Sequence, residues 1–113
     1  MESLSEKQRR FAKWVPRLID KAHELGFECT IGDAFRDPRS HGVLGVRVAY
    51  GEPFSAHKNK LAIDINLFKA DGTYLSSTEA HQTLGVWWES QGGAWGGRFR
   101  DGNHYSLEHE GIK

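Results

Sequence analysis

The most regular hydrophobic pattern in the chain is an alternation of apolar and polar residues over positions 61–68. A period of two predicts a strand. Four aliphatic side chains share one face of that strand: Leu61, Ile63, Ile65 and Leu67. Asp64 lies mid-strand on the other face, with Ala62 and Asn66. Because a buried carboxylate is costly unless it is paired or bound to a metal, Asp64 needs a partner.

His57 precedes Asp64 by seven residues. An odd separation would place the two side chains on opposite faces of one continuous strand. They converge only if residues 58–60 form a turn, which a polar segment containing Asn59 favours. The sequence therefore predicts a turn that brings a histidine to a carboxylate.

Apolar residues recur at steps of three and four over residues 5–25, which predicts an amphipathic helix. The members of this face are Phe11, Val15, Leu18, Ala22 and Leu25. Two capping boxes fit its start, Ser5 with Gln8 and Ser3 with Glu6. Gly26 follows the last apolar position and predicts the end of the helix. Pro16 predicts either a kink or the beginning of a second helical segment.

Shorter patterns predict the remaining elements. Residues 27–31 alternate as a strand, and Asp71-Gly72 predicts a hairpin whose returning strand is 73–75. A helix over 78–91 follows, in which Gly85 permits close packing. Residues 104–109 form the last predicted strand, which places Tyr105 and Leu107 toward the core.

Three stretches are less regular. The Gly-rich segment 91–99 lacks the Gly-Lys-Ser/Thr ending of a phosphate loop, and we expect it to bend around Trp95. Residues 40–54, which include His41, favour either a short strand or a loop flap. We expect His81 on the surface.

Composition narrows the class of protein. Thirteen aromatic residues among 113 suffice for one core, so we expect a single domain over residues 1–113. Fifteen basic and fifteen acidic residues cancel without a basic block, which disfavours nucleic-acid binding. The polar N-terminus has no signal-peptide core, and no apolar run is long enough for membrane insertion. Cys29, the single cysteine, excludes an internal disulfide and is interpreted as a small buried apolar residue.

His57, Asp64 and His104 together supply two imidazoles and one carboxylate. This is the ligand set of a catalytic Zn²⁺ site, with a fourth position left for water. Asp101 stands three residues before His104 across a Gly-Asn turn, and is placed to act as general base and later as acid toward the leaving amine. Ser55, two residues before His57, is a candidate for hydrogen bonding to substrate or for orienting the loop.

The segment from Ser55 to Asp64, with the later Asp101-Gly102-Asn103-His104, resembles the signature of the LAS-type zinc peptidases. That group includes D-alanyl-D-alanine dipeptidases and carboxypeptidases and the L-alanyl-D-glutamate endolysins of phages. The signature is Ser-x-His, then x-x-Gly-x-Ala-x-Asp, and later an acidic residue, two further residues and His. Six of its seven fixed positions match this sequence. Lys60 departs from the family's usual glycine, and Asp101 resembles the endolysin branch, since many relatives have Glu there.

The resemblance implies an α+β fold, with a small antiparallel sheet and helices packed on one side, as in Hedgehog domains and D,D-peptidases. From the residues alone, Arg36 is either a surface charge paired with a neighbouring aspartate or an anion-binding group. The resemblance favours the second interpretation, because the family carries at that place an arginine that binds substrate or stabilises the oxyanion. Arg36 is therefore a candidate for two roles. It is a catalytic candidate, as is Asp101, and a substrate-binding candidate, as is Ser55.

The expected function is hydrolysis of peptide stems or crosslinks of bacterial peptidoglycan, with Zn²⁺ as cofactor and substrate specificity in the loop from Arg39 to Phe54. We expect synthesis in the cytoplasm, then action on the wall after release by a membrane-permeabilising partner, or transport on a phage particle. One rival is an inactive, zinc-stabilised wall-binding or interaction module of the same fold. A metal-dependent nuclease is the other, and the neutral charge balance and single-metal ligand set disfavour it.

Overall fold

The computed structural model describes residues 2–37, 39, 43–46 and 54–113. Within these residues the helices and strands whose bounds are defined are α1 (Leu4–Glu24), β1 (Glu28–Ile31), β2 (Ala62–Phe68), β3 (Tyr74–Leu75), α2 (Gln82–Ser90), β4 (Ala94–Trp95) and β5 (His104–Ser106). Short 3-10 helices cover Ala56–Asn59, Glu79–His81 and Gly96–Phe99. The sheet order is β1-β2-β5-β4, β3 pairs with β2, and every pair is antiparallel. The predicted α+β fold with a small antiparallel sheet is confirmed.

Helix α1 begins with the capping box that Ser3 and Glu6 form. The side-chain oxygen of Ser3 accepts from the Glu6 backbone, and the Glu6 carboxylate accepts from Ser3, which satisfies two otherwise unpaired amides. The helix continues through Pro16 for 21 residues, so the alternative of a second segment starting there is wrong. The predicted kink stays a prediction. At Gly26 the backbone turns into the left-handed region (φ 91°) and the helix has ended, as predicted.

Strand β2 is the centre of the sheet and holds Asp64. The four aliphatic residues of its predicted inner face are all buried: Leu61, Ile63, Ile65 and Leu67. The Asp64 amide donates to the carbonyl of Asp33 (2.7 Å), and the Gly32 amide donates to the carbonyl of Asp64 (2.8 Å). On the other side, Ile65 donates to the carbonyl of Asn103 (2.9 Å). The segment after β1 and the turn before β5 therefore fix the backbone around Asp64.

The second half differs from the prediction in detail. The helix expected over 78–91 is a 3-10 turn followed by α2, and the Ser77 hydroxyl accepts from the Ala80 amide at its start (3.2 Å). Strand β4 was not predicted, because a two-residue strand gives no periodicity. The last strand ends at Ser106 rather than 109, since the chain turns back there and residues His109 and Ile112 form a separate bridge.

Trp95 is the packing centre of the Gly-rich segment, as predicted. Its ring is buried and its Nε1 donates to the carbonyl of Gly102 (2.8 Å). A Cβ at Gly85 of α2 would lie 2.1 Å from this ring, so only glycine permits the contact. The glycine that weakens α2 as a helix is therefore the one that lets the indole lie against it.

His81 is buried, so the expectation that it lies on the surface is wrong. Its Nδ1 lies 2.7 Å from the Tyr105 hydroxyl. Cys29 packs against the core, as expected for a small apolar residue, but it is half-buried and not buried as predicted. Within residues 43–46 the Val46 amide donates to the carbonyl of Val43 (2.9 Å). The rest of the predicted strand or flap, with His41, lies outside the described residues.

None of the helices in the described segments is both long enough and apolar enough to cross a membrane.

Candidate metal centre

His57 lies in the 3-10 turn before β2 and is buried. This turn is the one predicted between the histidine and Asp64. The Ser55 hydroxyl caps it by accepting from the His57 amide (3.2 Å). The ring Nδ1 lies 2.7 Å from the carbonyl of Ala34. Because a carbonyl only accepts, Nδ1 carries the hydrogen, and the lone pair of the neutral ring is on Nε2.

Asp64 and His104 are direct cross-strand neighbours in the β2–β5 pair. The His57 Nε2 atom lies 3.1 Å from Asp64 Oδ1 and 3.2 Å from His104 Nδ1. His104 Nδ1 lies 3.8 Å from Asp64 Oδ1. The three residues predicted as ligands are thus brought together, each with one donor atom toward the same point.

The arrangement fits a tetrahedral metal. Ligand atoms around Zn²⁺ at bond lengths of about 2.0–2.1 Å lie about 3.3–3.4 Å apart, close to the three distances here. Asp64 Oδ1 is buried and forms no hydrogen bond with the described residues. The lone pair of His57 Nε2 faces this oxygen, so two acceptors point at one another. A cation between them removes that repulsion and supplies the missing partner.

The protonation of His104 also suits a ligand. Burial, reinforced by the adjacent His57, lowers the pKa of His104 to about 4. The ring is therefore neutral at pH 7 and can offer a lone pair to a metal, as ligation requires.

Asp101 lies beside the three ligand candidates. Its Oδ2 is 3.9 Å from His104 Nδ1, and about half of its side chain is exposed. The turn is held by its own backbone, since the His104 amide donates to the carbonyl of Asp101 (3.1 Å) and the Asp101 amide to that of Gly96 (2.8 Å). Burial, and next the Asp64 carboxylate, raise the pKa of Asp101, while His57 and Arg36 oppose the rise. A carboxylate with a raised pKa is closer to the range useful for proton transfer.

Arg36 reaches the same cavity from the segment after β1. Its backbone amide donates to the carbonyl of His57 (3.2 Å), and its guanidinium donates to the Ser55 hydroxyl (3.1 Å) and contacts Asp33 (3.4 Å). Arg36 is therefore paired with an aspartate, as one interpretation expected, but its side chain is mostly buried rather than a surface charge, and it lines the cavity. Ser55 is buried and accepts from both Arg36 and the His57 amide, so it joins the two groups.

The cavity over the candidate site has a volume of about 350 Å³. Part of its wall comes from Phe54, the last residue of the loop expected to carry specificity, and part from residues that sequence reasoning did not single out: Phe99, Gly111 and Lys113. Both phenylalanines have exposed side chains. Their place in the cavity wall could not be predicted, because the sequence does not show which residues lie next to them. The carbonyl of Ala34 orients His57, but the sequence could not predict this, because every residue has a backbone carbonyl.

Lys60 occupies the position where the resembled family has glycine. Its backbone lies in the left-handed region, with φ 58° and ψ 34°. Non-glycine residues pay a steric cost there, whereas glycine does not. The turn between His57 and Asp64 therefore forms with a lysine, and the ammonium lies 5.1 Å from the centre of the Phe35 ring.

Comparison with known families gives one match. Residues 49–107 match a family described as D-alanyl-D-alanine carboxypeptidase. The matched region is just over half of the 113-residue chain and contains Asp101 and all three candidate ligands, whereas Arg36 lies before it. No curated protein matches the chain.

Proposed function

The chain belongs to the D-alanyl-D-alanine carboxypeptidase family, and from this premise we propose that it is a zinc peptidase that hydrolyses peptide stems or crosslinks of bacterial peptidoglycan. Membership implies a metallopeptidase, and the cluster of His57, Asp64 and His104 is able to hold a metal ion. The observation that carries the proposal is the buried Asp64 Oδ1, which has no hydrogen-bond partner among the described residues. This oxygen faces His57 Nε2 and His104 Nδ1. The two histidines line an open cavity together with Asp101.

The roles of the residues follow from their positions. His57, Asp64 and His104 would hold Zn²⁺, which when bound activates water and polarises a carbonyl. Asp101 would take a proton from the attacking water and later return it to the leaving amine. Its half-exposed position beside the ligands allows it to reach both groups.

Arg36 would bind the carbonyl oxygen of the scissile bond as negative charge develops there. Its guanidinium is mostly buried and is held between Asp33 and Ser55, so its direction is fixed before substrate binds. Ser55 holds this guanidinium and also caps the turn that carries His57. We propose Ser55 as a substrate-binding residue whose hydroxyl also orients Arg36.

A phage or prophage origin is part of the proposal. It is supported by Asp101, which stands where the resembled endolysins have aspartate. In that setting a membrane-permeabilising protein would release the enzyme to the wall, or a phage particle would carry it.

The test is mass spectrometry of fragments that the zinc-loaded protein releases from purified peptidoglycan, with a chelator-treated sample alongside. We expect zinc-dependent release of defined peptides, whose masses identify the bond cleaved. Zinc binding without release from several wall types would contradict the proposal and favour the binding module.

Asp101→Ala tests the proton-transfer role. It should lower the rate at least about 100-fold, since general acid–base catalysis typically contributes that much or more, while zinc content and fold are retained. Glu108→Ala is the matched control, because Glu108 is an exposed carboxylate that does not line the cavity over the ligands. If Asp101→Ala kept its activity and Glu108→Ala lost it, the base would be Glu108.

A further inference from the structure

Helix α1 concentrates positive charge on a chain whose formal net charge is zero. Five of the fifteen basic residues lie between positions 7 and 17, and no acidic residue lies between positions 7 and 19. They form no continuous block, because uncharged residues separate them. Three of them, Arg9, Lys13 and Arg17, follow one another at intervals of four, so the helix brings them to one side. We refer to these three residues as the cationic stripe.

The charges of the cationic stripe are not neutralised within the described part of the chain. All three residues are exposed and none forms an ion pair there, not even Arg17 with Asp20, the next acidic residue. Successive members lie about 6 Å apart along the helix axis. Because like charges four residues apart destabilise a helix, the stripe weakens α1 unless an anion lies against it.

A groove of about 500 Å³ is lined by Arg9 and Lys13. Its wall also contains two carboxylates, but both are already engaged. Glu2 accepts two hydrogen bonds from Arg10 (2.8 Å each), and Glu6 completes the capping box of α1. The charged groups left to bind a ligand are the guanidinium of Arg9 and the ammonium of Lys13, which only donate. The groove therefore suits an anionic ligand.

The surface of α1 disfavours two common anionic partners. Helices that bind anionic membranes also insert large apolar side chains, and proteins that bind single-stranded nucleic acids stack the bases on aromatic side chains. The large hydrophobic residues that are exposed in the described segments include none from α1. The cationic stripe thus offers charge without apolar contact, which favours a hydrated acidic polymer.

The proposed substrate is a polymer of this kind. Stem peptides of peptidoglycan have free carboxylates, and in an insoluble wall many stems lie side by side. Carboxylates accept charge-assisted hydrogen bonds from arginine and lysine. A row of three cations about 12 Å long can engage more than one carboxylate at a time, and such linked contacts raise the affinity for a multivalent surface.

Helix α1 is also joined to the candidate metal centre. Gln8 Nε2 donates to the carbonyl of Asn59 (2.8 Å), at the end of the 3-10 turn that holds His57. Lys7 Nζ donates to the carbonyl of Glu108 (2.8 Å), two residues after β5. A stem bound along α1 therefore keeps the candidate metal centre on the same stretch of wall.

We propose that the cationic stripe is a wall-binding surface, which holds the carboxylates of stem peptides other than the one being cleaved. This inference rests on the proposed peptidase function. It gives the domain that carries the candidate metal centre an affinity of its own for insoluble wall.

The test is co-sedimentation of the protein with insoluble peptidoglycan from which lipids and accessory polymers have been removed. It is carried out in chelator, where zinc-dependent turnover is absent. The peptidoglycan is used as isolated and after its carboxylates have been converted to amides. Release of peptides by the zinc-loaded protein is measured in parallel on the unmodified material.

The variants separate the cationic stripe from net charge. The stripe variant is Arg9→Gln/Lys13→Gln/Arg17→Gln, and Arg9→Lys/Arg17→Lys keeps the charges. Lys13→Gln is matched with Lys69→Gln, which removes an equally exposed lysine outside α1.

The stripe variant should bind unmodified peptidoglycan about 10-fold more weakly than the wild type, within the range that three exposed ion pairs supply. On amidated peptidoglycan the two should bind alike. The charge-conserving variant and Lys69→Gln should bind as the wild type does, whereas Lys13→Gln should bind more weakly. Added salt should weaken binding of the wild type more than that of the stripe variant.

Equal binding of the wild type and the stripe variant, or a difference that persists on amidated peptidoglycan, would overturn the inference and leave the peptidase function intact. Stripe-dependent binding to anionic lipid vesicles or to a phosphodiester polymer, but not to peptidoglycan, would also overturn it and assign the surface to that partner. Stripe- and carboxylate-dependent binding without release of peptides would support the stripe and contradict the proposed function. The absence of both would refute both.

Discussion

Gly96→Ala tests how the Gly-rich segment supports the metal centre. A Cβ on Gly96 would lie 2.1 Å from the carbonyl oxygen of Asp101 and 2.6 Å from the Cβ of His104. Restoring a 3.4 Å contact to that oxygen requires a displacement of about 1.3 Å. The oxygen belongs to the turn before β5, which cannot move without moving Asp101 and the candidate ligand His104.

The expected magnitude has two parts. Overpacking at a buried site typically costs 1–3 kcal/mol, and because backbone rather than a flexible side chain obstructs the Cβ, we expect a loss of about 2 kcal/mol in the free energy of unfolding. Disturbing the support of metal ligands typically lowers metal affinity 10- to 100-fold, and we expect a loss of that order for zinc.

Urea denaturation in chelator measures stability, and competition with a chromophoric chelator measures zinc affinity. Gly93→Ala is the matched control, since its Cβ would lie equally close, at 2.1 Å, to the Trp88 ring, whose Nε1 donates to the carbonyl of Ser106 rather than to the turn before β5. Both variants should be less stable, but only Gly96→Ala should bind zinc markedly more weakly. Wild-type zinc affinity in Gly96→Ala would show that the Gly96 contact does not position His104.

Two further predictions concern stability. Lys60→Gly should stabilise the protein by up to about 1 kcal/mol in urea denaturation, because Lys60 has a left-handed backbone; an unchanged or lower stability would mean that its contact with Phe35 offsets the steric cost. Burial lowers the pKa of His81 to about 4, so the unfolded chain binds more protons, and stability should fall as pH decreases from about 6.5 toward 4, by up to about 3 kcal/mol. His81→Leu should flatten the part of this slope that His81 supplies, and an unaltered slope would assign it to other groups such as His104.

The sequence alone determined much of the fold. The helix of residues 4–24 and strand β2 were predictable because each carries a long, strong period with a recognisable start or end. The hairpin of β2 and β3 followed from Asp71-Gly72, whose glycine has φ 90°. Strand β4 was not predictable, since two residues of strand depend entirely on pairing with β5.

The candidate metal centre also combines features that the sequence predicts with features that only the structure shows. Residue types and their spacing predicted His57, Asp64 and His104 as candidate ligands, because two imidazoles and a carboxylate in a signature are chemically specific, and the structure brings the three side chains together. Sequence could not show that the carbonyl of Ala34 selects the His57 tautomer, since any residue supplies a carbonyl.

Tertiary structure also decided which polar groups are buried and what they face. His81 was expected on the surface because the sequence around it is polar, but the packing of α2 against β5 buries it beside Tyr105. Arg100 gave no signal in the sequence either, and it lines one cavity with His81 only because the turn after Phe99 meets the segment before α2. Local pattern determines periodic elements and chemical motifs, whereas contacts between segments distant in sequence depend on the packed chain as a whole.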